Sequence, residues 1–206
     1  MTKQGLLLIG AGGHAKSCID VIELEDKYQV VGLVGVQNEV GSYVLGYQVL
    51  GTDEDLPKLL DFCQFVLIGI GQIGVTDLRH KTFRRCKDVG FKLPSIVSPK
   101  AYVSPHASIG KGTIIMHHAV INAGARVGNN CIINSKALIE HDVAIDDHCH
   151  IATGAIINGG SSVGSSSFIG SGSEIRESIA IGNHCLIGMG ASIRNDLPPN
   201  TRVAGN

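Results

Sequence analysis

A histidine followed directly by an aspartate stands in Ile139-Glu140-His141-Asp142. An imidazole with an unperturbed pKa of about 6.5 suits proton removal near working pH. A neighbouring carboxylate can hold the ring and stabilise its charged form. His141 also sits two positions past an aliphatic residue, and a solvated corner is the plain alternative reading. With His141, the nearby His148 and His150 raise the question of a metal site. Their spacing puts them on one strand and its corner, without a Cys or carboxylate cluster at ligand spacing, so no metal is expected. His117-His118 reads as an exposed turn. The second place for chemistry is Gly10-Ala-Gly-Gly-His14-Ala15. A G-x-G-x-x-A run after a strand turns backbone N–H groups toward a phosphate. A dinucleotide site also wants an acidic residue about twenty positions on, to hold the ribose. Gly32-Leu-Val-Gly-Val36 stands there, with no carboxylate before Glu39. The expectation is a phosphate-bearing ligand other than NAD; a structural turn, with His14 capping the loop, is the alternative.

Two kinds of element must position these residues. Every sixth residue from Val97 to Ile193, seventeen in all, is Ile or Val, including Ile121, Ile139, Ile157 and Ile175. A small residue often follows four positions later, as in Ala119, Ala125, Cys131 and Cys149, and Gly, Asn or Asp often follows directly, as in Gly128, Asn134 and Asp146. A period of six excludes both the helix and the heptad. It predicts short strands with inward aliphatics, the Gly, Asn or Asp taking the tight turn. Three such units make a triangular coil, and stacking of coils creates the core. The mid-repeat cysteines then read as small core residues.

The earlier half alternates differently. Gly5–Ile9, Tyr28–Val34 and Phe65–Ile70 read as strands, the first leading into a helix that buries Cys18, Ile19 and Ile22. Thr52 with Asp55 forms a capping box for a helix through Leu60, and 76–89 reads as a helix closed by Gly90. Such alternation implies a small Rossmann-like α/β unit. With a junction over Lys92–Pro99, the expected domains are residues 1–94 and 95–206.

Composition narrows the class. The 17 basic and 18 acidic residues leave a net charge of -1, which points away from nucleic acid and anionic membranes. The apolar start is too short for a signal-peptide core or a membrane span, and six cysteines without CxxC pairing fit reduced thiols. A cytoplasmic enzyme is the expectation.

The hexapeptide pattern over residues 97–197 looks like that of the left-handed parallel β-helix acyltransferases. Preceded by the Gly-Ala-Gly-Gly-His turn, the whole resembles the sugar-nucleotide acetyltransferases of the bacillosamine, perosamine and sialic-acid pathways. The resemblance implies a homotrimer that uses acetyl-CoA, without a metal, to acetylate a nucleotide-linked amino sugar, often a 4-amino-4,6-dideoxy sugar. It puts the catalytic base on His141 and its acidic partner on Asp142. It puts acetyl-CoA contacts on His150, Ser171 and Met189, with His150 near the thioester carbonyl, and sugar-nucleotide contacts on Gly12, Gly13, His14 and Gly71. Two departures stand out: Val34-Gly35 replaces the family's paired aspartates, and Val203-Ala-Gly-Asn206 stands where relatives continue with Pro-Ala and a basic residue, which implies a reduced pocket for the CoA tail. The implied mechanism is direct attack of the amine on the thioester, with His150 and a backbone N–H facing the oxyanion. O-acetylation of a sialic-acid-type sugar, a non-catalytic β-helix scaffold and a zinc-dependent β-helix protein are the other readings.

Overall fold

The computed structural model describes residues 3–74 and 77–206. The chain forms two compact units. One comprises the residues up to Gly71 together with Asp77–Ile96, and the other the segment that begins at Gln72 together with Val97–Asn206.

In the first unit β1 (Gln4–Ile9) leads through a glycine turn into α1 (Gly13–Glu25), and β2 (Tyr28–Val34) follows. The hairpin β3 (Tyr43–Val44) and β4 (Tyr47–Gly51) comes next, then α2 (Leu56–Phe62), β5 (Phe65–Ile68) and α3 (Asp77–Val89). The sheet order is β3-β4-β2-β1-β5, parallel except for the β3–β4 hairpin. Near-continuous apolar runs suit a parallel sheet covered on both faces, and Leu6, Leu7, Leu8, Leu33, Val66, Leu67 and Ile68 are fully buried. The alternation of elements had no signal for the hairpin. Leu45 and Gly46 turn it with φ of 48° and 86°, the positive pair that a tight two-residue turn demands. Thr52 and Asp55 cap reciprocally as expected, the Asp55 carboxylate accepting from the Thr52 N–H at 2.9 Å and lying below its ordinary pKa through those hydrogen bonds.

The second unit is a left-handed parallel β-helix. Its two-residue strands fall into three parallel sheets. A seven-stranded face runs from Ile96–Val97 to Arg202–Val203 and holds His150–Ile151 and Phe168–Ile169. A six-stranded face runs from Tyr102–Val103 to Ser192–Ile193 and holds Leu138–Ile139 and Ile156–Ile157. A five-stranded face runs from Ser108–Ile109 to Ala180–Ile181. Partners stand eighteen residues apart, as in Ile139↔Ile157 and Ile151↔Ile169, except in the last pair of the seven-stranded face, Ile187↔Val203. The repeat aliphatics from Ile115 to Ile193 point inward and are at most 5% exposed.

The turn chemistry differs from the expectation. The left-handed residue lies three positions past the aliphatic, not one: Gly112, His118, Gly124, Asn130, Lys136, Asp142 and His148 all have positive φ. The glycine directly after the aliphatic answers a different need. A Cβ on Gly110 would stand 2.4 Å from the Gly128 carbonyl carbon, and one on Gly170 2.6 Å from that of Gly188. At these glycines the backbone of the next coil takes the space a side chain would need. One column of small residues is also more than filler. Thr113, Cys131, Cys149 and Ser167 each donate to the carbonyl fifteen residues on, at 2.7, 3.2, 3.2 and 3.0 Å.

Truncating one inward aliphatic leaves a cavity that neighbouring coils cannot close. Ile157→Ala should cost about 2–5 kcal/mol, read as a lowered melting temperature. The outward Ser162→Ala in the same stack should stay within about 0.5 kcal/mol.

Candidate active site

The turn after Leu138–Ile139 carries Glu140, His141 and Asp142. Asp142 is the left-handed corner residue, with φ 60°. Short Asx side chains tolerate that conformation better than most. Backbone rungs fix the turn on both sides: the Asp142 N–H donates to the Ala123 carbonyl at 3.1 Å, and the Gly160 N–H to the His141 carbonyl at 3.0 Å. The Glu140 carboxylate accepts from Asn122 Nδ2 at 3.0 Å and so belongs to the scaffold. On this fixed backbone both functional side chains point outward, His141 65% and Asp142 72% exposed. His141 Nδ1 lies 2.9 Å from Asp142 Oδ2. An ionised carboxylate only accepts, so Nδ1 carries the proton and Nε2 presents its lone pair.

His150 is placed differently. It projects from the seven-stranded face, is 7% exposed, and meets the Phe168 ring edge-on with centroids 5.1 Å apart. Its Nδ1–H donates to the Gln72 carbonyl oxygen. Asn134 Oδ1 accepts the Ser135 N–H at 2.8 Å, which orients the amide, and Asn134 Nδ2 then donates to His150 Nε2 at 3.2 Å. Both ring nitrogens thus have polar neighbours, the Gln72 carbonyl at Nδ1 and the Asn134 amide at Nε2. Gln72 Nε2 donates to the His148 carbonyl at 3.3 Å and fastens the same segment to this strand.

Ser171 and Met189 occupy equivalent corner positions of adjacent coils, between the seven- and six-stranded faces, and both are exposed. The Gly190 N–H donates to the Ser171 carbonyl at 2.9 Å, joining the two coils there. His141 lies at the opposite edge of the six-stranded face. One chain thus brings His141 and Asp142 together, and Ser171 and Met189 together, while His141, His150 and the Ser171–Met189 corner stand on different parts of the prism.

In the first unit β1 lies between β2 and β5, so the chain leaves it in opposite directions. The C-terminal ends of β1 and β5 mark the switch point where open α/β sheets bind ligands. Gly12 is the N-cap of α1 and supplies no side-chain cap, and the first turn holds no acidic residue. A Cβ on Gly12 or Gly13 would meet nothing within 4 Å, so the start of α1 has open space beside it. Gly71, after β5, passes so close to His14 that its own Cβ would lie 3.2 Å from that of His14. Gly12, Gly13, His14 and Gly71 therefore converge, and the helix dipole favours an anion there. The first carboxylate after β2, that of Glu39, accepts the Val36 N–H at 3.0 Å.

Arg79 is a positioning residue that motif reading missed. It is 1% exposed, and its Nη1 donates to the carbonyls of Ile68 at 2.6 Å and Ile70 at 2.8 Å, shaping the loop that ends in Gly71. The available signal was helical spacing, because the buried face of α3 is Arg79, Thr82 and Cys86.

The six cysteines are free and buried. Burial pushes the Cys18 and Cys86 thiols up to about 12. Cys149 is also raised, first by its hydrogen bond with Cys131 and then by burial. Among the described residues no group of three or more His, Cys, Asp or Glu converges as metal ligands. No described helix is long and apolar enough to cross a membrane.

Glycine-turn α/β unit and hexapeptide β-helix together define the class of left-handed β-helix acyltransferases. Residues 5–85 match the PglD N-terminal domain, and residues 106–140 match the bacterial transferase hexapeptide (six repeats). An asparagine-for-histidine variant of perosamine N-acetyltransferase from Caulobacter crescentus, solved with CoA and GDP-perosamine, is 32% identical. It superposes with a TM-score of 0.92 over 99% of this chain and 95% of that one. The acetyltransferase domain of PglB from Neisseria gonorrhoeae, solved with acetyl coenzyme A, is also 32% identical, with a TM-score of 0.90 over 100% and 98% of the two chains. Uncharacterized protein L142 of Acanthamoeba polyphaga mimivirus is 33% identical over 122 residues, 59% of this chain and 23% of that protein, so the match spans under a quarter of that relative. The chain belongs to the PglD-like family of hexapeptide-repeat acetyltransferases.

If the thiols are structural, none reacts promptly with an aromatic disulfide reagent at pH 8 in the native protein, and all six react after denaturation. A prompt thiol would show a cysteine poised for chemistry.

Proposed function

We propose that the protein transfers the acetyl group of acetyl-CoA to the amino group of a nucleotide-linked 4-amino-4,6-dideoxy sugar. The observation that carries this reading is the His141–Asp142 pair, with the Nδ1–H donated to the carboxylate and Nε2 left as the proton acceptor. The kinship with enzymes solved with CoA and GDP-perosamine supports the choice of substrates. The amine nitrogen attacks the thioester carbonyl carbon and its proton passes to His141 Nε2. Asp142 stabilises the imidazolium, in the manner of a triad carboxylate. Collapse of the tetrahedral intermediate breaks the C–S bond and expels the CoA thiolate, which takes up the proton that His141 carries. No acyl-enzyme forms, in keeping with cysteines that are all buried.

Residues 1–94 hold the nucleotide sugar, with Gly12, Gly13, His14 and Gly71 around its phosphates, and residues 95–206 carry the transfer chemistry. Ser171 and Met189 contact acetyl-CoA. The reading includes a homotrimer, because His141 and the Ser171–Met189 corner flank opposite edges of one face and reach a common reaction centre only from different copies. The outward column Tyr102, Val120, Leu138 and Ile156 on that face offers an apolar surface for such packing. His150, held by the Gln72 carbonyl, serves at the acetyl-CoA site near the thioester carbonyl. The protein acts in the cytoplasm, where acetyl-CoA is made and thiols stay reduced.

Thiol release from acetyl-CoA, measured against UDP-, dTDP- and GDP-linked 4-amino sugars and free sialic acid, tests the reading. Turnover on one amino sugar should fall by about 10³-fold or more in His141→Ala. Turnover on sialic acid alone would make the enzyme an O-acetyltransferase. Equal rates in wild type and variant would remove His141 from the chemistry.

A further inference from the structure

The imidazole that serves as base is fully outside the core, 65% exposed, and its one side-chain anchor is the Asp142 carboxylate. A side chain so exposed keeps one rotamer only if something shapes the space around it. The next coil does so. A Cβ built on Gly159 would lie 2.6 Å from His141 Nε2, 2.7 Å from Cε1 and 3.2 Å from Cδ2. Its three nearest neighbours are thus all atoms of one imidazole. The coil before is shaped in the same way for the other partner, because a Cβ on Gly124 would lie 2.4 Å from Asp142 Oδ1. Both contacts fall within the stack, where the Asp142 N–H to Ala123 rung (3.1 Å), the Gly160 N–H to His141 rung (3.0 Å) and the Ser178 N–H to Gly159 rung (3.0 Å) lock the coils in register.

The two glycines are not equivalent in their backbones. Gly124 has φ +76°, a conformation that glycine suits on its own account. Gly159 lies outside the left-handed region, so its backbone accepts any L-residue and gives no conformational reason for glycine. The ring above it is the reason that remains.

We propose that Gly159 is a positioning residue for acyl transfer, its missing side chain being the seat that holds the His141 imidazole against Asp142 with Nε2 directed over the 159 coil. The proposal rests on the acetyltransferase reading for its kinetic consequence but not for its geometry. A methyl group on residue 159 displaces the ring from the seat, because the ring is the mobile partner and the stacked backbone is not. The Nδ1–Oδ2 bond is then lost or lengthened, and the base leaves the line of attack.

The test is Gly159→Ala alone and combined with His141→Ala. The melting temperature should match wild type, since the three atoms nearest the new methyl all belong to the exposed His141 side chain. With acetyl-CoA and the accepted amino sugar, kcat should fall by about 10- to 100-fold with KM unchanged, the size expected from displacing a reacting group by about 1 Å. In the His141→Ala background the same substitution should change nothing, the signature of residues acting through one another. Ring ¹⁵N shifts of His141 in the protein without substrates provide a second readout. Wild type should show the single neutral tautomer with the proton on Nδ1, and Gly159→Ala a mixture. Wild-type kcat and an unshifted ring in Gly159→Ala overturn the proposal. So does a loss of activity that persists undiminished when His141 is absent, which would assign Gly159 a separate role. If wild type turns over no acceptor, the functional reading fails while the ring shifts still decide the seat.

Discussion

The spacing of the coils governs nearly everything in the second unit. Parallel rungs tie each residue to the one eighteen positions on, and all side chains must accommodate that fixed separation. Inside, one aliphatic per strand stacks on its counterparts, so Ile121, Ile139, Ile157 and Ile175 form a continuous fully buried file. Nearest-neighbour stacking of this kind makes stability a sum over adjacent coils. At the turns the same spacing is restrictive rather than favourable. Gly110 and Gly170 are glycines because the next coil's backbone passes within 2.4–2.6 Å of where a Cβ would stand.

That rigidity is what makes an exposed corner usable for chemistry. A loop anchored only at its ends samples many conformations, whereas the turn at 140–142 is bonded to the coils on either side. Left-handed conformation at a non-glycine residue costs of order 1–3 kcal/mol, and Asp142 bears it with φ 60° in a column that elsewhere holds Gly124, Gly160 and Ser178. The carboxylate gained at this position lies 2.9 Å from the neighbouring imidazole. A corner that every repeat must turn thus holds a carboxylate against an imidazole.

The sequence disclosed this architecture unevenly, for physical reasons. The inward positions were legible because burial imposes one residue type every six positions without exception from Val97 to Ile193. The turns were misread: glycine after the aliphatic suggested a turn, while its real cause is the approach of another coil, an interaction eighteen residues away that no local pattern expresses. The β3–β4 hairpin passed unnoticed because its turn residue is Leu45, which adopts φ 48° against its own preference beside Gly46. His141 and Asp142 were legible as neighbours. The engagement of both His150 nitrogens was not, because it depends on Gln72 and Asn134, 78 and 16 residues away. Arg79 was hidden for a similar reason: a buried guanidinium bonded to strand-end carbonyls looks, in sequence, like any helix surface cation.

The glycine turn of the first unit follows a different logic. It opens α1 with free space beside Gly12 and Gly13, and the neighbouring strand end is shaped by Arg79 from behind. A helix N-terminus of this kind suits phosphate charge, which every nucleoside diphosphate carries. Discrimination of the ribose and base requires side chains, and the end of β2 is where a carboxylate would normally supply it. Here Val34 and Gly35 hold that place. A Cβ on Gly35 would lie 2.6 Å from Glu39 Oε2, so a side chain there would displace that carboxylate. Glu39 folds back over Gly35 to accept the Val36 N–H, so the nearest carboxylate serves the loop rather than a ribose hydroxyl. The end of β2 therefore contributes shape instead of charge beside the glycine turn.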